Sequence, residues 1–213
     1  MKYNIPQIKQ ISETSCASAT YTMVANALGF DYPLEYILKI TKSEIGFAFF
    51  WRFLIENKNI EIVDFSKNNL KIWAEKGFIH FQQETKKEPF NFFNNRMTDL
   101  NKYQEDLKYL FKNKNFKFFH KKPNTNLLKK YFSERYVCDV MLDPWLIYGE
   151  KPPYYSLHRV FIVDINNDEI IFHNPSSDGE AFYKSNTSNF KKAFQIDGAE
   201  LTCYKIKTNN INI

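Results

Sequence analysis

The chain has 213 residues, 44% of them hydrophobic, with 21 Phe and 13 Tyr, which is enough apolar mass for one domain with a large, ring-rich core. Its net charge of +5 is spread in short doublets such as Lys86-Lys87, Lys121-Lys122 and Lys129-Lys130. No arginine-rich stretch is interleaved with stacking aromatics, so nucleic acid is not an expected partner.

Three cysteines, Cys16, Cys138 and Cys203, cannot complete a disulfide framework and lack metal-binding spacing. No metal or other cofactor is expected. The longest apolar run, residues 45–51, is ended by Arg52 and is far short of a membrane span. The opening MKYNIPQIKQ has no apolar signal stretch, so a reducing, cytoplasmic setting is expected. The sequence leaves the oligomeric state open.

In chain order, the first predicted element is a helix starting at Cys16. Ala19, Met23, Val24, Ala27 and Leu28 recur at three- and four-residue intervals, the period of a helix with one buried face. Ser12, Thr14 and Ser15 are cap candidates before it, and Gly29 is the stop. Asp31-Tyr32-Pro33 introduces a second helix to about residue 40. Residues 43–56 read as a third, with Phe47, Phe50, Trp51 and Leu54 along one side. IEIVDF alternates as a strand, and SKNNLKIWAEKG forms a short helix closed by Gly77. Residues 79–97 show no period and are expected as a loop across a cleft. Residues 98–112 form an amphipathic helix through Leu100, Tyr103, Leu107, Leu110 and Phe111. FKFFH is a strand, NLLKKYF a helix, RYVCDVMLDPWL a strand and HRVFIVDINNDEIIFH a hairpin; NFKKAF then precedes a last strand, ELTCYKIK. The expected architecture is α+β, a single domain over residues 1–213. Its helices lead, an antiparallel sheet trails, and a groove lies between them.

Two places carry chemistry. Cys16 falls in the first turn of its helix, where unpaired N–H groups and the helix dipole favour an anion. A thiol there titrates below the free value near ~8.5, more so beside an imidazolium. Gln10, six residues earlier, can donate to an oxyanion together with the Cys16 N–H. At the other end, an odd hairpin loop centred on Asn166 would set His158 opposite Asn174. Val160 would then pair with Phe172 and Ile162 with Ile170. A two-residue Asn166-Asn167 turn would put Arg159 opposite Asn174 instead. In the expected register Asn174 accepts the Nδ1–H of His158, leaving Nε2 to take the thiol proton. Alternation points His173, the rival base, to the opposite face. His80 and His120 read as surface residues.

The N-terminal IPQIKQISETSCASATYTMVANALG resembles the start of the bacteriocin-leader-processing (double-glycine) cysteine peptidases and their stand-alone relatives, within the papain-like superfamily. The C-terminal helix, strands, HRVFIVDINNDEIIFHNP and last strand follow the same order, with Asn174 where those peptidases have an acidic residue. The resemblance spans about 1–65 and 124–207 and leaves an insert at about 66–123. It implies a papain-like fold with Cys16 as nucleophile, His158 as base, Asn174 as its orienter and Gln10 as oxyanion donor. Ala17 and Leu157 stand where the family usually has glycine. CASATYTMVANALGFDYPLEYIL, followed by EIGFAFF, also resembles the N-terminal region of butirosin-biosynthesis-type acyltransferases.

The expected function is thiol-dependent cleavage of a peptide or amide. The alternative is acyl transfer from a thioester to an amine, which shares its first step. A third reading, a catalytically silent peptide-binding module, draws on Ala17 and Leu157.

Overall fold

A computed structural model of the chain describes residues 2–41, 55, 57, 59–94 and 100–207. Helices α1 (Cys16–Ala27) and α2 (Leu34–Thr41) come first, followed by strand β1 (Ile60–Ser66). Four helices follow it: α3 (Leu70–Lys76), α4 (Phe78–Glu84), α5 (Lys87–Asn94) and α6 (Leu100–Lys112). Next are β2 (Phe116–His120), α7 (Thr125–Ser133), β3 (Val137–Leu142) and a 3-10 turn at Leu146–Tyr148. The chain closes with β4 (His158–Ile165), β5 (Glu169–His173), β6 (Tyr183–Asn186), α8 (Thr187–Ala193) and β7 (Glu200–Ile206).

The class is α+β, and the sheet is broader than the expected C-terminal one. Seven strands run in the order β2-β1-β7-β3-β4-β5-β6. β1 and β2 come from the middle of the chain, and they pair in parallel while the other neighbours are antiparallel. The sheet is therefore mixed. The segment expected as a loop at 79–97 instead supplies α4 and α5. Gly77, at φ +96°, closes α3 and starts α4, a backbone angle that glycine adopts without strain. That tight joint stacks Phe81 on Trp73 with ring centroids 5.2 Å apart, so packing holds a helix that its own pattern does not announce. The helix expected over 43–56 lies outside the described residues, apart from Ile55.

Helices cover both faces of the sheet. On one face Tyr21, Met23, Ile37, Trp73, Phe81, Leu107 and Leu110 pack against Ile60, Ile62, Met141, Phe161, Val163 and Tyr204. On the other, Leu128, Phe132 and Phe190 pack against Val63, Cys138, Val140, Val160, Ile162, Phe172 and Cys203. β4 alternates between the two cores, so both of its faces are apolar.

Helix α1 is buried on every side, not on one. Ser18 through Ala25 are all buried, and the polar members are satisfied. Ser18 Oγ lies 3.1 Å from Thr41 Oγ1, Thr22 donates to the Ser18 carbonyl at 2.9 Å, and Thr20 donates to the Arg159 carbonyl at 3.0 Å. Gly29 closes the helix as expected, at φ +87°, with Phe30 N–H returning to the Ala25 carbonyl at 2.9 Å. Among the described residues no helix is long and apolar enough to cross a membrane.

Candidate active site

The β4–β5 hairpin places the base by a route different from the expected one. The turn is a two-residue one, Asn167-Asp168, closed by Asn166 N–H to the Glu169 carbonyl at 3.1 Å, with Ile165 opposite Ile170. Carried straight on, that register would put His158 and Asn174 on opposite faces. A β-bulge at Val163 inserts one extra residue into β4, so that Asp164 faces Ile171 but Ile162 faces Phe172. The bulge restores the parity. His158, Val160, Ile162, Phe172 and Asn174 share a face as expected, although each pair is shifted from the expected partner. The Val163 carbonyl at the bulge accepts the Tyr3 N–H at 3.3 Å, which ties the N-terminal segment to it.

β4 overhangs β5 at its start. Pairing with β5 begins at Phe161, whereas His158 and Arg159 pair only with Leu142 and Met141 of β3. In an antiparallel strand the N–H and C=O of one residue point the same way, and those of Arg159 go to α1. Its carbonyl takes the Thr20 hydroxyl, and its N–H faces the Cys16 sulfur and favours the thiolate. Two contacts one helical turn apart thus dock the start of α1 on the start of β4, bringing Cys16 beside the His158 imidazole, where each group shifts the other's pKa.

His158 Nε2 donates to Asn174 Oδ1 at 2.8 Å. This corrects the expected nitrogen. The proton toward asparagine sits on Nε2, and Nδ1 is left for the thiol. Asn174 Oδ1 also accepts the Ser176 N–H at 3.0 Å, and its Nδ2 donates to Tyr148 Oη at 2.7 Å. Burial pushes the Cys16 thiol up, but the neighbouring His158 imidazole and its charge, the Arg159 N–H and the Arg159 charge outweigh it and leave the thiol at about 7. Burial pulls His158 down, and contact with Cys16, the Asn174 hydrogen bond and the Asp178 charge outweigh it, so the imidazole is raised. Opposite shifts in the two partners favour a thiolate–imidazolium pair.

Gln10 lies alongside. Its backbone N–H donates to the Pro175 carbonyl at 2.7 Å, and its side-chain oxygen is buried without a hydrogen-bond partner. Ser15 stands at the N-cap of α1, but its hydroxyl bonds backward, to the Ile11 and Ser12 N–H groups and the Ser12 carbonyl. The first turn is left without a side-chain cap. Leu157, the larger residue before the histidine, is 7% exposed and packs toward Gly198. Ala17 leans on the core beside α1. His173 is held away from the thiol by its ring bonds to the Ile5 carbonyl at 2.9 Å and the Phe182 N–H at 3.1 Å, with its pKa lowered by burial. His80 and His120 are exposed, as expected.

Sequence reasoning missed three supports. The first is a buried charge cluster behind the site. The Arg159 guanidinium bonds Asp139, Glu200 at 2.5 Å and Thr202 at 3.3 Å. Thr202 donates to Asp64 at 2.9 Å, and Tyr204 donates to Asp139 at 2.7 Å. Burial raises Asp64, Asp139 and Glu200, with Arg159 holding each of them back. Acidic residues inside otherwise apolar strands were the available signal. The second support is Tyr148, which had none. The third is Gly179, where an added Cβ would lie 2.6 Å from Asn174 Cγ and from its carbonyl oxygen. Comparison of the chain with protein-family models, with curated proteins and with solved structures returned no match.

Proposed function

We propose that the chain is a papain-like cysteine hydrolase of peptide or amide bonds, with Cys16 as nucleophile, His158 as base, Asn174 as orienter and Gln10 as oxyanion donor. The observation that carries this reading is the convergence of Cys16, His158 and Asn174, with His158 bonded to Asn174 at 2.8 Å and the thiol held at about 7 beside the imidazole. His158 Nδ1 takes the thiol proton, and Cys16 Sγ attacks the carbonyl carbon. The Cys16 N–H and the Gln10 amide receive the oxyanion. The proton on His158 then passes to the leaving amine. Water, deprotonated by the same imidazole, opens the thioester and regenerates the thiol.

The test uses an activated acyl ester as a generic donor, with intact-mass detection of the acyl-enzyme. The expected result is one acyl group on Cys16, formed and released with turnover, and absent in Cys16→Ser. Acylation spread over surface lysines with none on Cys16 would refute the reading. Adding an amine acceptor separates hydrolysis from acyl transfer by the product formed.

A further inference from the structure

An asparagine can serve as orienter only one way up. Its oxygen accepts the imidazole N–H, whereas its NH₂ would oppose an imidazolium. One group decides between these orientations of Asn174, and a second braces the amide from its far end. The Ser176 N–H points at Oδ1 at 3.0 Å, and Tyr148 Oη accepts from Nδ2 at 2.7 Å. We infer that Tyr148 is a positioning residue for the proposed thiol chemistry, its hydroxyl bracing the Asn174 amide in the orientation that the Ser176 N–H selects, with oxygen toward His158. This rests on the reading of Cys16 and His158 given above.

The rest of the fold holds that hydroxyl in place. Tyr148 ends the 3-10 turn Leu146–Tyr148, whose start is capped by Asp143, with Oδ1 accepting the Trp145 N–H at 2.8 Å and the Leu146 N–H at 3.0 Å. Gly149, at φ +79°, turns the chain away immediately afterward. The Tyr148 ring meets Tyr183 of β6 edge-on, with centroids 5.0 Å apart. Its outer side is exposed. Burial raises the phenol, so it stays a neutral hydroxyl able to accept from Nδ2 through neutral pH. The β3–β4 connection therefore reaches across to control an amide beyond the end of β5.

The experiment is a double-mutant cycle read as the pH midpoint of Cys16 alkylation by iodoacetamide. Tyr148→Phe keeps the ring and its contact with Tyr183 while removing the acceptor. Loss of one hydrogen bond should raise the midpoint by roughly half a unit to one unit and slow alkylation near pH 7 about two- to fivefold. Thermal stability changes little. In an Asn174→Asp background either carboxylate oxygen can accept from His158, so orientation no longer matters. Tyr148→Phe should then leave the midpoint in place or lower it. An equal rise in both backgrounds would show general packing and overturn the positioning role. A depressed wild-type midpoint that Tyr148→Phe does not move would overturn that role alone, while a wild-type midpoint at a free thiol's value would overturn the thiol reading with it.

Discussion

Gly179→Ala perturbs the site while leaving Cys16, His158, Asn174 and Gln10 themselves unchanged in sequence. The new methyl would lie 2.6 Å from Asn174 Cγ and carbonyl oxygen and 2.8 Å from Oδ1, where ordinary contact begins at 3.4 Å. Loop and asparagine must therefore part by about 0.8 Å. The neighbours are a backbone carbonyl and a short amide, neither of which can swing aside. A displacement of that size pulls Oδ1 away from His158 Nε2, now 2.8 Å distant, and out of hydrogen-bond range. A hydrogen bond to a charged imidazolium contributes about 1.5–3 kcal/mol. Losing it takes one to two pH units from the pair, roughly. The Cys16 midpoint of about 7 should rise to about 8 or above, and alkylation near pH 7 should fall about fivefold or more. Urea unfolding should report a separate cost of roughly 1–3 kcal/mol from overpacking. A variant that is destabilised but alkylates at the wild-type rate, with an unmoved midpoint, would show that Asn174 does not support the pair.

Arg159→Met leaves the buried carboxyls of Asp139 and Glu200 without their cation, and about 3–5 kcal/mol of stability should be lost near pH 7. Because burial raises these acids and Asp64, the folded chain holds more protons than the unfolded one above ordinary carboxylate values. Stability thus falls as pH rises through that window. The deficit of the variant should shrink toward about pH 5, and urea titrations showing a pH-independent deficit would contradict the argument. Gln10→Ala should lower turnover of a cleavable acyl donor by roughly a hundredfold or more, the effect of losing one oxyanion donor. Alkylation of Cys16, which forms no oxyanion, should be unchanged; parallel loss of both rates would place Gln10 in a structural role instead.

The sequence announced most elements because their faces differ in polarity. It was silent where both faces are apolar. In β4, Val160 and Ile162 feed one core while Phe161 and Val163 feed the other, so alternation offers no register. The bulge at Val163 leaves no mark in residue type, and a two-residue turn alone would have misplaced His158. Cys16, His158, Asn174 and Gln10 could be named from residue type and chain order. The imidazole nitrogen could not, because it depends on the side from which α1 approaches β4. That approach is set by Arg159, whose backbone is exposed to α1 only because β5 stops at His173. Tyr148 was equally hidden, since its role follows from how far the β3–β4 connection reaches. The parallel pairing of β1 beside β2 was missed for a related reason: a parallel partner leaves no hairpin signal.

Whether Cys16 shares its proton with His158 is read from the ultraviolet absorbance of the Cys16 thiolate against pH, as the difference between the wild-type chain and Cys16→Ser. A step centred at about 7 that moves upward in His158→Ala is expected. A step near the free-thiol value of ~8.5, unmoved by His158→Ala, would contradict that sharing.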